Sequence, residues 1–219
     1  MSLTGPRRDA KSGQGDSLVI FLHGYGADGN DLIGLADPLR DHLPNTVFVA
    51  PDAPEKCINN PFGRQWFPIP HMDGSSEEMA RQSHETSVDL LDTFITDTIA
   101  AEGVTASKTV LVGFSQGTMM ALHVGPRRRE ELAGVVGFSG RLLEPDKLES
   151  EAKTKPPILL IHGDQDQVVP PENLPVAADA LARAGFEVYT HVSKGMAHGI
   201  AQDGLTLALQ FILQRLDNS

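Results

Sequence analysis

The segment Gly113-Phe114-Ser115-Gln116-Gly117 decides the fold, because a different kind of element lies on each side of it. Residues 109–112 before it form a short, β-branched and apolar run that favours a buried strand. Residues 118–123 after it are mostly good helix formers without Gly or Pro. A strand that turns into a helix at the serine of Gly-x-Ser-x-Gly is a nucleophile elbow. We therefore predict Ser115 as a nucleophile with a strained backbone, for which the flanking glycines leave room.

A similar segment, Gly137-Phe138-Ser139-Gly140, also follows an apolar run. It lacks the second spacer residue, and the residues after it, 141–145, begin a helix poorly. We interpret Ser139 as a strand-end serine that at most lines the site.

Strand and helix patterns alternate along the chain. Apolar runs predict strands at residues 17–22, 46–50, 109–112, 132–138, 158–162 and 186–192. Helical spacing of apolar residues predicts helices at 31–39, 77–102, 118–125, 172–184 and 202–216. This order predicts the α/β class, with a mostly parallel central sheet and helices on both faces. Nothing between residues 132 and 156 is long enough for a separate cap domain.

Length and charge limit the classes of function. A chain of 219 residues is the size of one domain, which we place at residues 17–219, after a polar and flexible segment at residues 1–16. The formal net charge of −11 argues against a nucleic-acid partner and against a polybasic membrane anchor. No apolar run approaches membrane-spanning length, so membrane insertion is not expected.

The single cysteine, Cys57, excludes an internal disulfide and fits a reducing compartment. No apolar stretch follows Arg7-Arg8 as a signal peptide would require. We predict a cytoplasmic protein.

Residues 52–76 are rich in proline and show no periodicity, which in a compact domain usually marks a functional loop. Trp66 and Phe67 within it either anchor a surface loop or form a wall of an apolar cleft, and both interpretations stay open. Met119 is a further candidate for substrate contact, although methionines at such positions are more often helix core.

The carboxyl ends of the strands are where ligands bind in such sheets. After the first strand, the glycine-rich loop His23-Gly24-Tyr25-Gly26 offers a free amide, and Tyr25 is the best candidate. The amide of Gln116, directly after the nucleophile, would be the second donor of an oxyanion hole.

An acid and a base complete the set of candidates. Asp166 lies further from its strand end than Asp164, and we favour it as the acid that binds a histidine ring, with Asp164 as a turn cap. His198, between small residues in the loop after the last strand, is favoured as the base. Its rivals are His23, His162 and His191. The resulting chain order of serine, acid and histidine is that of the α/β-hydrolase triad.

The sequence resembles the phospholipase/carboxylesterase family of α/β-hydrolases, which includes bacterial carboxylesterases and acyl-protein thioesterases. The resemblance covers residues 17–216. It rests on Phe21-Leu22-His23-Gly24-Tyr25-Gly26, Gly113-Phe114-Ser115-Gln116-Gly117, His162-Gly163-Asp164-Gln165-Asp166 and Ala197-His198-Gly199. It implies Ser115 as nucleophile, Asp166 as acid and His198 as base. Tyr25 departs from the leucine that the family's thioesterases usually carry, which puts long-chain protein deacylation in doubt.

The resemblance implies a serine carboxylesterase that hydrolyses short- to medium-chain esters without metal or cofactor. Its substrate would be a small-molecule or lipid-like ester. A thioesterase or lysophospholipase on the same triad is the alternative, and a non-catalytic binding module with the hydrolase fold is a more distant one. The sequence leaves the oligomeric state open, a homodimer included.

Overall fold

A seven-stranded sheet forms the centre of the computed structural model, which describes residues 2–217. Its strands in spatial order are β1, β3, β2, β6, β7, β8 and β9. Their bounds are β1 Arg7–Arg8, β2 Ser17–Leu22, β3 Thr46–Val49, β6 Thr109–Phe114, β7 Gly134–Phe138, β8 Ile158–Gly163 and β9 Val188–Ser193, while β4 (Glu55–Lys56) and β5 (Arg64–Gln65) form a separate hairpin. Only β1 runs antiparallel to its neighbour, so the predicted parallel sheet is confirmed.

Helices cover both faces of the sheet. The larger ones are α4 (Glu77–Glu102), α5 (Gln116–Arg127), α7 (Asn173–Arg183) and α8 (Gln202–Asp217); the short ones are α1 (Gly29–Ile33), α2 (Ala36–Leu39), α3 (Pro70–Asp73) and α6 (Pro145–Glu151). The helix predicted at 31–39 is therefore two helices, which meet at Gly34. As predicted, no cap domain interrupts the sheet, since α6 is the one helix between β7 and β8.

Strand β2 is apolar from Leu18 to Leu22 because both of its faces are covered. Leu18, Ile20 and Leu22 pack into one core with Leu91 and Ile95 of α4. The intervening Val19 and Phe21 pack into a second core on the other face, which includes residues of α1, α2 and α8. Because successive side chains of a strand point to opposite faces, a strand between two helical layers has to be apolar at every position.

Residues 2–16, for which the sequence predicted a flexible segment, contact the domain at several points. Arg7 and Arg8 pair with Val49 and Phe48 at the edge of the sheet. Leu3 is also buried. Contacts this sparse leave no periodic pattern in the sequence.

The loop at 52–76 has more structure than its composition predicts. The β4–β5 hairpin leads into α3, and α4 then begins after its cap residue Ser76, whose Oγ accepts from the Met79 amide at 3.1 Å. None of the helices between residues 2 and 217 is long and apolar enough to cross a bilayer.

Helices α4 and α5 contact each other through two histidine rings. His84 and His123 meet edge to face with centroids 4.6 Å apart. Burial, helped by the charge of Arg127 and by His84, lowers the pKa of His123 to about 3. Both rings line a groove of about 710 Å³ between α4, α5 and the start of α6.

We expect Gly117→Ala to destabilise the fold strongly. A Cβ at Gly117 would lie 1.9 Å from the Leu22 carbonyl oxygen, a backbone atom that cannot move aside without disrupting β2. Urea unfolding should show a loss of about 3 kcal/mol. Gly34→Ala is the matched control, since Gly34 has φ −61° and open space around it. Equal stability of the two variants would contradict this account of the helix–strand contact.

His123→Phe should make the protein less sensitive to acid. Histidine 123 is neutral in the fold down to about pH 3, whereas an unfolded histidine gains a proton below about pH 6.5. The wild-type free energy of unfolding therefore falls as the pH drops from 6.5 toward 3, by up to about 1.4 kcal/mol per pH unit from this group. Phenylalanine keeps the ring contact and removes this slope. Urea unfolding at several pH values measures it, and equal slopes in the two proteins contradict the prediction.

Candidate active site

Ser115 lies at a sharp turn between the end of β6 and the start of α5. Its backbone has φ 53° and ψ −115°, and the residue is 8% exposed. The Ser115 amide donates to the Phe138 carbonyl at 2.8 Å, which ties the turn to β7. A Cβ at Gly113 would lie 2.5 Å from the backbone of Gly117, so both flanking glycines are required by close backbone contacts, as predicted.

Asp166 and His198 form a hydrogen bond across two loops. His198 Nδ1 lies 2.8 Å from Asp166 Oδ2. The other carboxylate oxygen, Oδ1, accepts from the amides of Val168 and Val169, both at 2.9 Å. Burial of Asp166 opposes ionisation, but the hydrogen bonds from His198 and from the two amides outweigh it and hold the pKa of the carboxyl below its ordinary value. Asp166 is therefore a charged acceptor for the His198 ring.

The loop that carries His198 lies directly on the end of β8. A Cβ at Gly163 would be 2.2 Å from the Met196 carbonyl oxygen, so a glycine is needed here. Asp164 Oδ1 accepts from the Gly195 amide at 2.6 Å and holds this loop from the other side. The His198 ring packs on Phe114, the residue before Ser115, with centroids 4.9 Å apart. Ser115, Asp166 and His198 are thus brought to one end of the sheet.

The rival histidines have other partners. His162 Nε2 lies 2.8 Å from the Val169 carbonyl oxygen and 3.3 Å from Asp166 Oδ2, so this buried ring packs behind the acid. His191 pairs with Asp203 at 2.8 Å on the surface. His23 contacts the backbone of the loop after β2.

The loop after β2, at residues 23–26, lies against Ser115. A Cβ at Gly24 would be 3.3 Å from the Ser115 Cβ, which places the backbone before Tyr25 beside the serine. No backbone carbonyl within residues 2–217 accepts a hydrogen bond from the Tyr25 amide. The Gln116 amide is the first of α5, where N–H groups have no partner inside the helix. Two free donors therefore flank the serine.

The side chain of Gln116 holds the 52–76 loop in place. Its Oε1 accepts from the Trp66 amide at 2.8 Å, and its Nε2 donates to the Phe67 carbonyl at 2.7 Å. The Trp66 indole in turn donates to the His23 carbonyl at 3.0 Å, and Ser87 donates to the Trp66 carbonyl. The loop and the elbow are connected by buried hydrogen bonds that leave no polar group of Trp66 unpaired.

Tyr25 is tied to the far end of the same loop. Its hydroxyl donates to Asp73 Oδ2 at 3.0 Å, and Asp73 also accepts from the Ile69 and Ser75 amides. Burial, with hydrogen bonds to Cys57 and Asp73, raises the pKa of the Tyr25 phenol. This contact joins the loop after β2 to α3.

The three predicted substrate contacts, Trp66, Phe67 and Met119, differ in their surroundings. Trp66 is fully buried beneath His23 and Gln116, and Met119 is a core residue of α5. Phe67 is 8% exposed and lines the groove between α4 and α5 with His84, a groove whose lining does not include Ser115. Trp66 and Met119 are therefore core residues, whereas Phe67 forms part of the wall of the groove between α4 and α5. Ser139 is also fully buried, with φ 49°, and so does not line the site as its position suggested.

Sequence reasoning missed the supporting contacts of this site. The Tyr25–Asp73 and Gln116–Trp66 pairs are 48 and 50 residues apart in the chain, and no local pattern marks them. The one available signal was the polar character of Gln116 in an otherwise apolar turn. A strained serine, a histidine on an ionised carboxylate and two free amides can together support nucleophilic acyl transfer.

Comparison with known proteins identifies the family. Residues 8–216 match the model of the family described as Phospholipase/Carboxylesterase. Acyl-protein thioesterase 1 of Neurospora crassa is 30% identical over 213 residues, 91% of this chain and 87% of the relative, and Esterase YpfH of Escherichia coli is 29% identical over 200 residues, 89% and 81%.

Solved structures show the same fold. The crystal structure of esterase PE8 is 46% identical with a TM-score of 0.93, covering 99% of this chain and all of that one. SOBER1 of Arabidopsis thaliana is 25% identical with a TM-score of 0.78, covering 92% and 99%. The chain has the α/β-hydrolase fold and belongs to the phospholipase/carboxylesterase family.

Proposed function

We propose that this protein is a serine carboxylesterase that hydrolyses short- to medium-chain esters with Ser115, Asp166 and His198 as its triad. The observation that carries the proposal is the 2.8 Å hydrogen bond between His198 Nδ1 and Asp166 Oδ2, at the same sheet end as the strained elbow of Ser115. Family membership supports ester hydrolysis in general.

Each residue has a defined part in the proposed reaction. His198 Nε2 takes the proton of the Ser115 hydroxyl as its oxygen attacks the ester carbonyl, and Asp166 stabilises the imidazolium. The amides of Tyr25 and Gln116 bind the negative oxygen of the tetrahedral intermediate. His198 then protonates the departing alcohol, and water activated by the same ring hydrolyses the acyl-enzyme. No step needs a metal or an organic cofactor.

A thioesterase or lysophospholipase on the same residues is the second candidate. The name of the Neurospora crassa relative favours it. The Tyr25–Asp73 hydrogen bond favours the shorter esters, because it fixes the polar tyrosine beside the serine loop where a flexible apolar side chain would adapt to a long acyl chain. A profile of kcat/KM against acyl length, for esters and for matched thioesters, separates the two.

We expect a small-molecule or lipid-like ester as the partner and the cytoplasm as the location, in keeping with the acidic charge and the single buried cysteine. A binding module without turnover is disfavoured because the chain carries a candidate for each of the acid, the base, the nucleophile and the amide donors. Size-exclusion chromatography with light scattering tests a homodimer.

Ser115→Ala should abolish hydrolysis of p-nitrophenyl esters. Loss of the nucleophile removes the acyl-enzyme route, and kcat should fall by several orders of magnitude, on the order of a million-fold in a well-studied serine protease. Wild type and variant are compared on acetate, butyrate and octanoate esters at matched concentrations. A variant that keeps the wild-type rate, or a wild type without turnover on any ester, contradicts the triad.

Asp166→Asn should reduce kcat by about 10³- to 10⁴-fold, because an amide nitrogen at the Oδ2 position cannot accept from His198 Nδ1–H. Asp164→Asn is the matched control. It keeps the oxygen that accepts from the Gly195 amide, so its kcat should stay within a few-fold of wild type. The reverse order of the two effects would assign the acid to Asp164.

A further inference from the structure

His23 is a buried histidine whose tautomer can be read from its contacts. The ring directly follows β2 and is 0% exposed. The Ala53 amide donates to its Nε2 at 3.0 Å, so Nε2 carries the lone pair. The proton therefore resides on Nδ1, which donates to the Gly24 carbonyl oxygen at 2.8 Å. Burial lowers the pKa of His23, in keeping with this neutral form.

The hydrogen bond to the Gly24 carbonyl fixes the orientation of the whole peptide unit between Gly24 and Tyr25. The Gly24 C=O and the Tyr25 N–H belong to the same peptide unit, and in a trans peptide the two groups point in opposite directions. The described residues contain no cis peptide bond. A ring that holds the Gly24 oxygen on one side thereby directs the Tyr25 N–H to the other side. The Gly24 oxygen also accepts from the Ala27 amide at 3.3 Å, so the bond from the ring, at 2.8 Å, is the shorter of the two that hold this peptide unit.

We propose that His23 is a positioning residue that orients the Tyr25 amide as an oxyanion-hole donor. The inference rests on the proposed esterase function. The Trp66 indole donates to the His23 carbonyl, and Gln116 accepts from the Trp66 amide. Both amides that would bind the oxyanion are thus held by one connected set of buried hydrogen bonds. A buried bond of this kind keeps its geometry because water cannot compete for it.

A different role would be packing alone, since the His23 ring also lies against Trp66 with centroids 5.6 Å apart. Two substitutions separate the roles. In His23→Asn the side-chain amide nitrogen replaces Nδ1 and can still donate to the Gly24 oxygen. In His23→Gln the longer side chain reaches the Nε2 position, where its oxygen can accept from the Ala53 amide, and the donor to Gly24 is lost. Both variants remove the ring.

The experiment measures kcat and KM for a p-nitrophenyl ester, and the affinity for an alkyl trifluoromethyl ketone that forms a tetrahedral adduct with the serine. We expect His23→Gln to lower kcat about 10- to 100-fold, less than the 10²- to 10³-fold for deleting a donor outright, with KM changed little. The affinity for the ketone should fall by a similar factor. His23→Asn should retain kcat within a few-fold.

Several outcomes would overturn the proposal. If kcat falls equally in His23→Gln and His23→Asn while their melting temperatures are equal, only the packing role remains. If His23→Gln keeps the wild-type kcat, the positioning role is wrong. Ser115→Ala is run alongside: if it loses activity while His23→Gln does not, the positioning role fails and the esterase function stands. A Ser115→Ala variant with full activity would instead remove the esterase proposal.

A measurement on the wild type covers the case in which a variant fails to fold. Nitrogen-15 NMR of histidine-labelled wild type near pH 8 reports which ring nitrogen of His23 carries the proton, with the ring signals assigned through their correlation to the backbone amide of the same residue. A proton on Nδ1 supports the proposal. A proton on Nε2 overturns it, because the ring could then not donate to Gly24.

Discussion

A backbone contact between the first turn of α5 and the end of β2 is the constraint on which the rest of the structure depends. Gly117 lies so close to the Leu22 carbonyl that no side chain fits between them. This contact lets the helix start directly above the sheet, bends the chain at Ser115 into φ 53°, and brings the loop after β2 beside the serine. Strain of this kind costs of order 1–3 kcal/mol and persists because the neighbouring strands hold it.

The supporting structure is a polar network inside an apolar core. Gln116 uses its side-chain amide, and Trp66 and His23 use side-chain and backbone groups, to connect the elbow, the 52–76 loop and the loop after β2. Such a network rigidifies its surroundings when every member is satisfied, whereas one missing partner leaves a buried polar group at considerable cost. Three segments far apart in sequence are therefore kept in register by bonds that water cannot replace, and Trp66 acts as a structural centre rather than as a surface for ligands.

The sequence predicted the parts of this protein whose signals are local. The strand–turn–helix context made Ser115 a candidate, as their positions after strands did for Asp166 and His198. The sheet followed from continuous apolar runs such as Leu18 to Leu22. The supporting contacts depend on which loops meet in space, and apolarity alone could not distinguish a buried Trp66 from an exposed one. The break at Gly34 and the packing of residues 2–16 were missed for the same reason, since both follow from tertiary contacts.

The two-residue strand β1 has a consequence for the behaviour of the protein at high concentration. Strand β3 would otherwise end the sheet with unpaired amides and carbonyls, a template on which a second molecule can add a strand. Arg7 and Arg8 pair with Val49 and Phe48 at this edge of β3, and they place two cationic side chains at the border of the sheet. A short, charged outermost strand is a poor nucleus for intermolecular β-pairing, so this border of the sheet is protected against aggregation by residues that take no part in the candidate site.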